Sequence, residues 1–137
     1  MNIVTLLLSP QGRIPRGWFW IGLVIVLAVS VALNLIPGRA GRMVGLVLLW
    51  PQICINVKRL HDMGHTGWLL LGPTGITLAS LVLSFILGSG AESYPAPGAL
   101  APLAVAALCS LAFLLWVGLS RGVPEDNRFG PVARAAA

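Results

Sequence analysis

The stretch Lys58-Arg59-Leu60-His61-Asp62-Met63-Gly64-His65-Thr66-Gly67 lies between two runs with almost no charge, residues 43–57 and 68–87. Its reading decides the fold. Flanks of that composition belong in lipid, so the polar residues between them form a short turn at a membrane surface. The upstream helix is expected to run through its basic residues to about Met63. Gly64 is then placed to adopt the left-handed conformation that ends a helix. Thr66 is placed to cap the next helix at its N-terminus. A turn of two or three residues makes the two flanking helices antiparallel neighbours.

Working outward, composition bounds the class. The chain has 137 residues, of which 57% are hydrophobic and 9% charged, with a mean hydropathy of +0.89. A soluble domain carries about 25% charged residues, so this chain cannot cover a soluble surface. It reads as a single integral membrane domain over residues 1–137, all-α, with four transmembrane helices over about 18–36, 43–57, 68–87 and 99–119. Pro15 precedes the first run and Pro37-Gly38 ends it. The second run is short, about 22 Å of helix against a hydrocarbon core of about 30 Å. Snorkelling by Arg42 at one end and by Lys58 and Arg59 at the other lets it cross. Pro51 and Pro73 are expected to kink the second and third helices. Residues 1–11 carry no Lys or Arg, so no signal peptide is expected there.

Charge orients the spans. Arg13, Arg16, Lys58, Arg59, Arg121, Arg128 and Arg134 fall on one side, and Arg39 and Arg42 on the other. The positive-inside rule places both termini in the cytoplasm. Trp18, Trp20, Trp68 and Trp116 fall near the same inner boundary, where amphipathic rings prefer to sit, whereas Trp50 lies within a span. Residues 88–98, with Glu92 as their one charge, read as a flexible outer connector.

Asn34, Gln52 and Asn56 are the strongest polar residues in the spans. Gln52 and Asn56 share a helix face, read first as hydrogen-bonding glue between helices and otherwise as a polar path for a solute. Gly41-x-x-x-Gly45 and Gly118-x-x-x-Gly122 have helix-packing spacing. Cys54 and Cys109 read as small apolar residues. His61, Asp62 and His65 invite a metal reading, but a helix broken at Gly64 separates the two histidines and no third strong ligand is near. No metal and no cofactor are expected. Ser120 lacks the setting of an activated nucleophile. Asp62, an acid on a strongly basic face, is expected to pair with Arg13 or Arg16, or with Lys58 or Arg59 of its own helix.

Three segments carry a resemblance. Gly12-Arg13-Ile14-Pro15-Arg16-Gly17-Trp18-Phe19-Trp20 resembles the opening GRxxRxxFW of the domain of unknown function 805 family. The central run from Lys58 through Trp68 resembles its RRLHDxGxSGW, and Asn127-Arg128-Phe129-Gly130-Pro131 its closing NxYGP. His65 and Lys58 depart from that pattern, which has Arg or Lys at the first position and Arg at the second. The resemblance covers nearly the whole chain and implies a small bacterial inner-membrane protein of four helices, with no activity assigned.

All three segments fall on the face read as cytoplasmic, where they are expected to form one plate. The sequence therefore points to a non-enzymatic membrane component whose inner face binds anionic lipid or a protein partner. The binding candidates are Arg13, Arg16, Lys58, Arg59, His61, Asp62, Trp68, Asn127 and Arg128. Gly64, Thr66, Gly67, Gly130 and Pro131 are candidates for turn structure. Homo-oligomers or a membrane-protein partner fit this reading, and no nucleic-acid partner is expected. The alternative is a small oligomeric transporter or channel using the polar faces of the first two helices; the third reading is a metal-dependent enzyme at His61, Asp62 and His65.

Overall fold

The computed structural model of the chain describes residues 3–35, 47–88 and 97–133. Arg39, Arg42, Arg134, Glu92 with its connector, the Gly41-x-x-x-Gly45 spacing and the start of the second span lie outside the described residues, as does the side chain of Asn34. In order, the helices are α1 (Ile3–Leu8), α2 (Arg16–Asn34), α3 (Leu49–Asp62), α4 (Leu71–Gly88, preceded by a 3-10 turn over Gly67–Leu70) and α5 (Pro97–Leu119). Among the described residues there is no strand, only one isolated bridge between Asn127 and Gly130.

Among the described residues, three stretches are long and apolar enough to cross a membrane: Arg16–Leu33, Gly67–Gly88 and Gly98–Leu119, with mean hydropathies of 2.0, 2.0 and 2.3. Their outer surfaces carry large apolar side chains. Val24, Leu27, Phe85 and Leu108 are each more than half exposed. Water would penalise such continuous apolar surface, whereas lipid tails solvate it. Over the described residues the protein is helical, with three helices of the length and composition of membrane spans. The α3 helix differs from the other three. It has 14 residues, about 21 Å of helix, and its last turn carries Arg59, His61 and Asp62.

The chain divides into two compact units, one made of Met1–Gly67 with Val117–Ala137 and the other of Trp68–Trp116. In the first unit, α1 and α2 both pack against α3. Leu6, Ile14, Phe19, Cys54, Ile55, Leu60 and Val117 are fully buried there. Gly22 of α2 allows the close approach of Ile55 from α3 and Leu6 from α1. In the second unit, Ser84 donates to the Ala99 carbonyl (2.7 Å) and Thr77 meets Ser110 (3.4 Å), joining α4 to α5.

Several local expectations change for physical reasons. Pro51 and Pro73 each occupy the third position of their helix. In α3 an N–H there has no intrahelical acceptor, so Pro51 fits a helix start instead of kinking a helix interior, whereas Pro73 lies just after the junction of the 3-10 turn with α4. Pro102, by contrast, lies inside α5. Asn56 donates to the Gln52 carbonyl of its own helix (2.8 Å), so this amide donor bonds within α3 and not between helices. The Gly118-x-x-x-Gly122 spacing serves contacts inside the chain. A Cβ on Gly118 would meet Trp20 and Phe19 of α2.

The α1 helix has no counterpart in the sequence reading. Its last carbonyls need partners outside the helix, and α3 supplies them. Lys58 Nζ donates to the carbonyls of Thr5 and Leu6, and Trp50 Nε1 to that of Leu8 (3.0 Å). A cation at a helix C-terminus also complements the helix dipole. Substitution of Gly118 by Ala is expected to destabilise the protein by roughly 1–3 kcal/mol through overpacking against Trp20 and Phe19. Gly75→Ala, where a Cβ meets nothing within 4 Å, is expected to be neutral or stabilising by up to about 1 kcal/mol. Thermal unfolding in detergent checks the contrast.

Candidate functional site

The site begins at the C-terminal end of α3. Met63 caps the helix and Gly64 follows at φ 77°, a conformation that costs an L-residue roughly 1–2 kcal/mol. The Gly64 N–H then bonds the His61 carbonyl (3.1 Å) and the His65 N–H bonds the Leu60 carbonyl (2.8 Å), the paired bonds of a Schellman ending. Gly64 thus has the role that the sequence predicts for it. Thr66 directly precedes the 3-10 turn that Gly67 opens, and Gly67 packs close to Val57.

That ending holds Asp62 and Arg59, one helical turn apart, on the inner side of the unit. Asp62 is 5% exposed and Arg59 0%. Asp62 Oδ1 pairs with Arg13 Nη2 (3.2 Å) and Oδ2 with Arg59 Nη1. The acid therefore selects Arg13 over Arg16, and Arg59 over Lys58. Arg16 donates through Nε to the Ser120 carbonyl (2.9 Å) and its side chain is exposed.

Buried charges persist only when paired and hydrogen-bonded. Here backbone carbonyls complete the set. Arg59 also donates to the carbonyls of Val117 (3.1 Å), Ile14 (3.4 Å) and Ser120. Val117 and Ser120 lie at the C-terminal end of α5, so Arg59 does for α5 what Lys58 does for α1. Arg13 donates to Val123 (2.6 Å), Glu125 (2.8 Å), Gly130 (3.3 Å) and Asp62 (3.4 Å) carbonyls. Gly122 leaves room for the carboxylate: a Cβ there would collide with Asp62. The Val123 N–H bonds the Asp62 carbonyl (2.8 Å), fastening the segment after α5 to the end of α3.

The closing segment forms a two-residue turn. Asn127 and Gly130 exchange backbone hydrogen bonds across Arg128 and Phe129. Asn127 Nδ2 donates to the His61 carbonyl (2.9 Å), while its Oδ1 accepts from the Phe129 N–H (2.9 Å). The His61 ring stacks on Phe129 with centroids 3.9 Å apart and 4° between planes. Its Nδ1 donates to the Gly12 carbonyl (3.3 Å), and Arg128 lies 4.7 Å from the centre of the Phe129 ring. Pro131 follows the turn and is exposed.

The structure therefore brings together Arg13, Arg59, His61, Asp62, Asn127 and Arg128, with Arg16 at the edge. Lys58 is buried at the end of α1. Trp68 belongs to the second unit and is 77% exposed. Three of the expected lipid contacts, Arg13, Lys58 and Arg59, have their donors turned inward onto carbonyls, because helix ends and turns within reach leave carbonyls that have no intrahelical partner. Among the described residues, no group of three or more His, Cys, Asp or Glu is placed to share a metal ion. Arg121, beside an open pocket, had no sequence signal beyond its charge.

The family described as "Protein of unknown function (DUF805)" matches residues 7–131. The chain belongs to this family. Uncharacterized protein YiiR of Escherichia coli strain K12 is 40% identical over 78 residues, which cover 52% of this chain and 53% of that protein. Uncharacterized protein YiiR of Escherichia coli O157:H7 matches to the same extent. The chain spans about half the length of the curated relatives it matches. No solved structure matches it.

In this DUF805 protein the three motif segments meet around Asp62, and each carries one glycine with positive φ: Gly12, Gly64 and Gly130. Burial lowers the pKa of His61, the Gly12 carbonyl opposes that shift, and Arg128 adds to it. A histidine whose folded pKa is depressed leaves stability intact above its unfolded value, about 6.5. That contribution is lost as pH falls through the folded pKa, because the unfolded chain takes up the proton first. The unfolding temperature is expected to drop between pH 7 and pH 5 and to drop less in His61→Gln, as followed by thermal unfolding across that range.

Proposed function

We propose that this protein is a non-enzymatic component of a bacterial inner membrane whose cytoplasmic face attracts anionic lipid headgroups. In this reading four segments cross, the second over about residues 43–57, and both termini are cytoplasmic. The excess of Lys and Arg in segments on that side supports the orientation. One observation carries the reading. The buried cations Arg13, Lys58 and Arg59 are engaged internally, while Arg16, Arg121 and Arg128 remain exposed on the unit that holds the three motifs. A base near an anionic surface contributes about 1 kcal/mol of attraction. No hydrolytic or redox centre is needed for that role, and the motif residues serve to build the face that carries the exposed arginines.

The test is lipid retention. Protein purified in mild detergent is compared with the variant Arg16→Gln/Arg121→Gln/Arg128→Gln by native mass spectrometry. The triple variant is expected to keep its fold and to lose most bound phosphatidylglycerol and cardiolipin while retaining zwitterionic lipid. Equal retention of anionic lipid by both proteins contradicts the reading.

A further inference from the structure

The open pocket of about 450 Å³ beside the Asp62 cluster has a mostly apolar surface with charged side chains set into its wall. Arg16, Arg59 and Arg121 line it, together with Asp62, Gly17 and Val132. Asp62 does not make it an acidic pocket, because its two oxygens are paired with Arg13 and Arg59. The wall is therefore net positive. Arg59 is fixed and fully engaged, so it contributes field without reorganising. Arg16 and Arg121 are exposed and positioned to contact a ligand.

The backbone adds to the same field. Pro15 precedes α2 and makes no side-chain capping bond. The first intrahelical bond runs from the Phe19 N–H to the Pro15 carbonyl (3.1 Å), which leaves the preceding N–H groups without an intrahelical acceptor. A Cβ on Gly17 would meet nothing within 4 Å, so the main chain there is open to a ligand. Donors of this kind, with the positive end of a helix dipole and two guanidinium forks, suit a tetrahedral oxyanion. The pocket volume accommodates a phosphate with a small substituent such as glycerol, and Val132 offers that substituent an apolar wall.

We propose that this pocket binds a phosphate group reversibly, held by Arg16, Arg121 and the start of α2. The proposal rests on the basic-face reading above and deepens it, from diffuse attraction to one discrete phosphate site. Its source is a lipid headgroup or a free phosphate compound, which share the chemistry.

The experiment measures unfolding temperature in detergent against increasing dioctanoyl phosphatidylglycerol, inorganic phosphate or dioctanoylglycerol, which has the same chains and no phosphate. Ionic strength is matched with chloride. The expected result is a saturable rise with a phosphate-bearing probe and none with dioctanoylglycerol or chloride. In Arg16→Gln/Arg121→Gln the apparent affinity should fall at least about tenfold, as expected for loss of one or more charge-assisted hydrogen bonds. Arg128→Gln, which removes one charge of the basic face outside the pocket, should weaken binding by less than the pocket variants do. If the double variant does not fold, Arg121→Gln alone, a change at an exposed position, gives the same comparison. A response to the lipid alone assigns the headgroup; a response to inorganic phosphate as well assigns a site open to free phosphate.

Absence of any saturable response, or an unchanged affinity in the pocket variants, overturns the site. Equal losses in Arg128→Gln and in the pocket variants also overturn it, while leaving the basic-face reading standing. That reading fails separately, when anionic lipid retention ignores all three exposed arginines.

Discussion

The first unit is organised around a carboxylate held out of water between two guanidiniums. Asp62 joins Arg13, 49 residues upstream, to Arg59, one turn back on its own helix. Such a group is costly to bury, and removal of one partner leaves an uncompensated charge. The surrounding features answer that cost. Gly122 makes space for the carboxylate, the Schellman ending at Gly64 fixes where α3 stops, and carbonyls from Ile14, Val117, Ser120, Val123, Glu125 and Gly130 accept the remaining guanidinium donors. Because those carbonyls come from the N-terminal segment, the end of α5, the segment after it and the closing turn, the same interaction gathers all four around the end of α3.

Helix ends explain why the cations point inward. A membrane protein cannot leave the last carbonyls of its helices bare near lipid. Lys58 satisfies those of α1 and Arg59 those of α5, from adjacent positions on α3. Arg16 shares the Ser120 carbonyl with Arg59 but, like Arg121 and Arg128, is exposed. The division between structural and available cations follows burial and not residue type. It is also what narrows the functional reading from the whole set of bases to three.

Much of this was legible in the sequence, and the gaps have definite causes. Three apolar helices follow from run length and composition, and Gly64 from the local demand for positive φ. The meeting of the three motif segments was readable from their polar character beside apolar runs. The choice of Arg13 over Arg16 was not, because one residue on either side of Pro15 differs only in direction, which tertiary packing sets. Lys58 read as a snorkelling base because α1 is six residues long and announced by no cap or amphipathic pattern. Pro51 read as a kink because the start of α3 shifted by a few residues. Gly118 and Gly122 carried the right signal, close approach, and the structure sets it against Trp20, Phe19 and Asp62.

The account stands on the coupling between Arg13 and Asp62. A double-mutant cycle with Arg13→Met, Asp62→Leu and the double variant, read as unfolding free energy in detergent, measures it directly. The buried pair predicts that the double variant is less destabilised than the sum of the single variants, by an interaction energy of roughly 1–3 kcal/mol. Additive effects, within about 0.5 kcal/mol, contradict it.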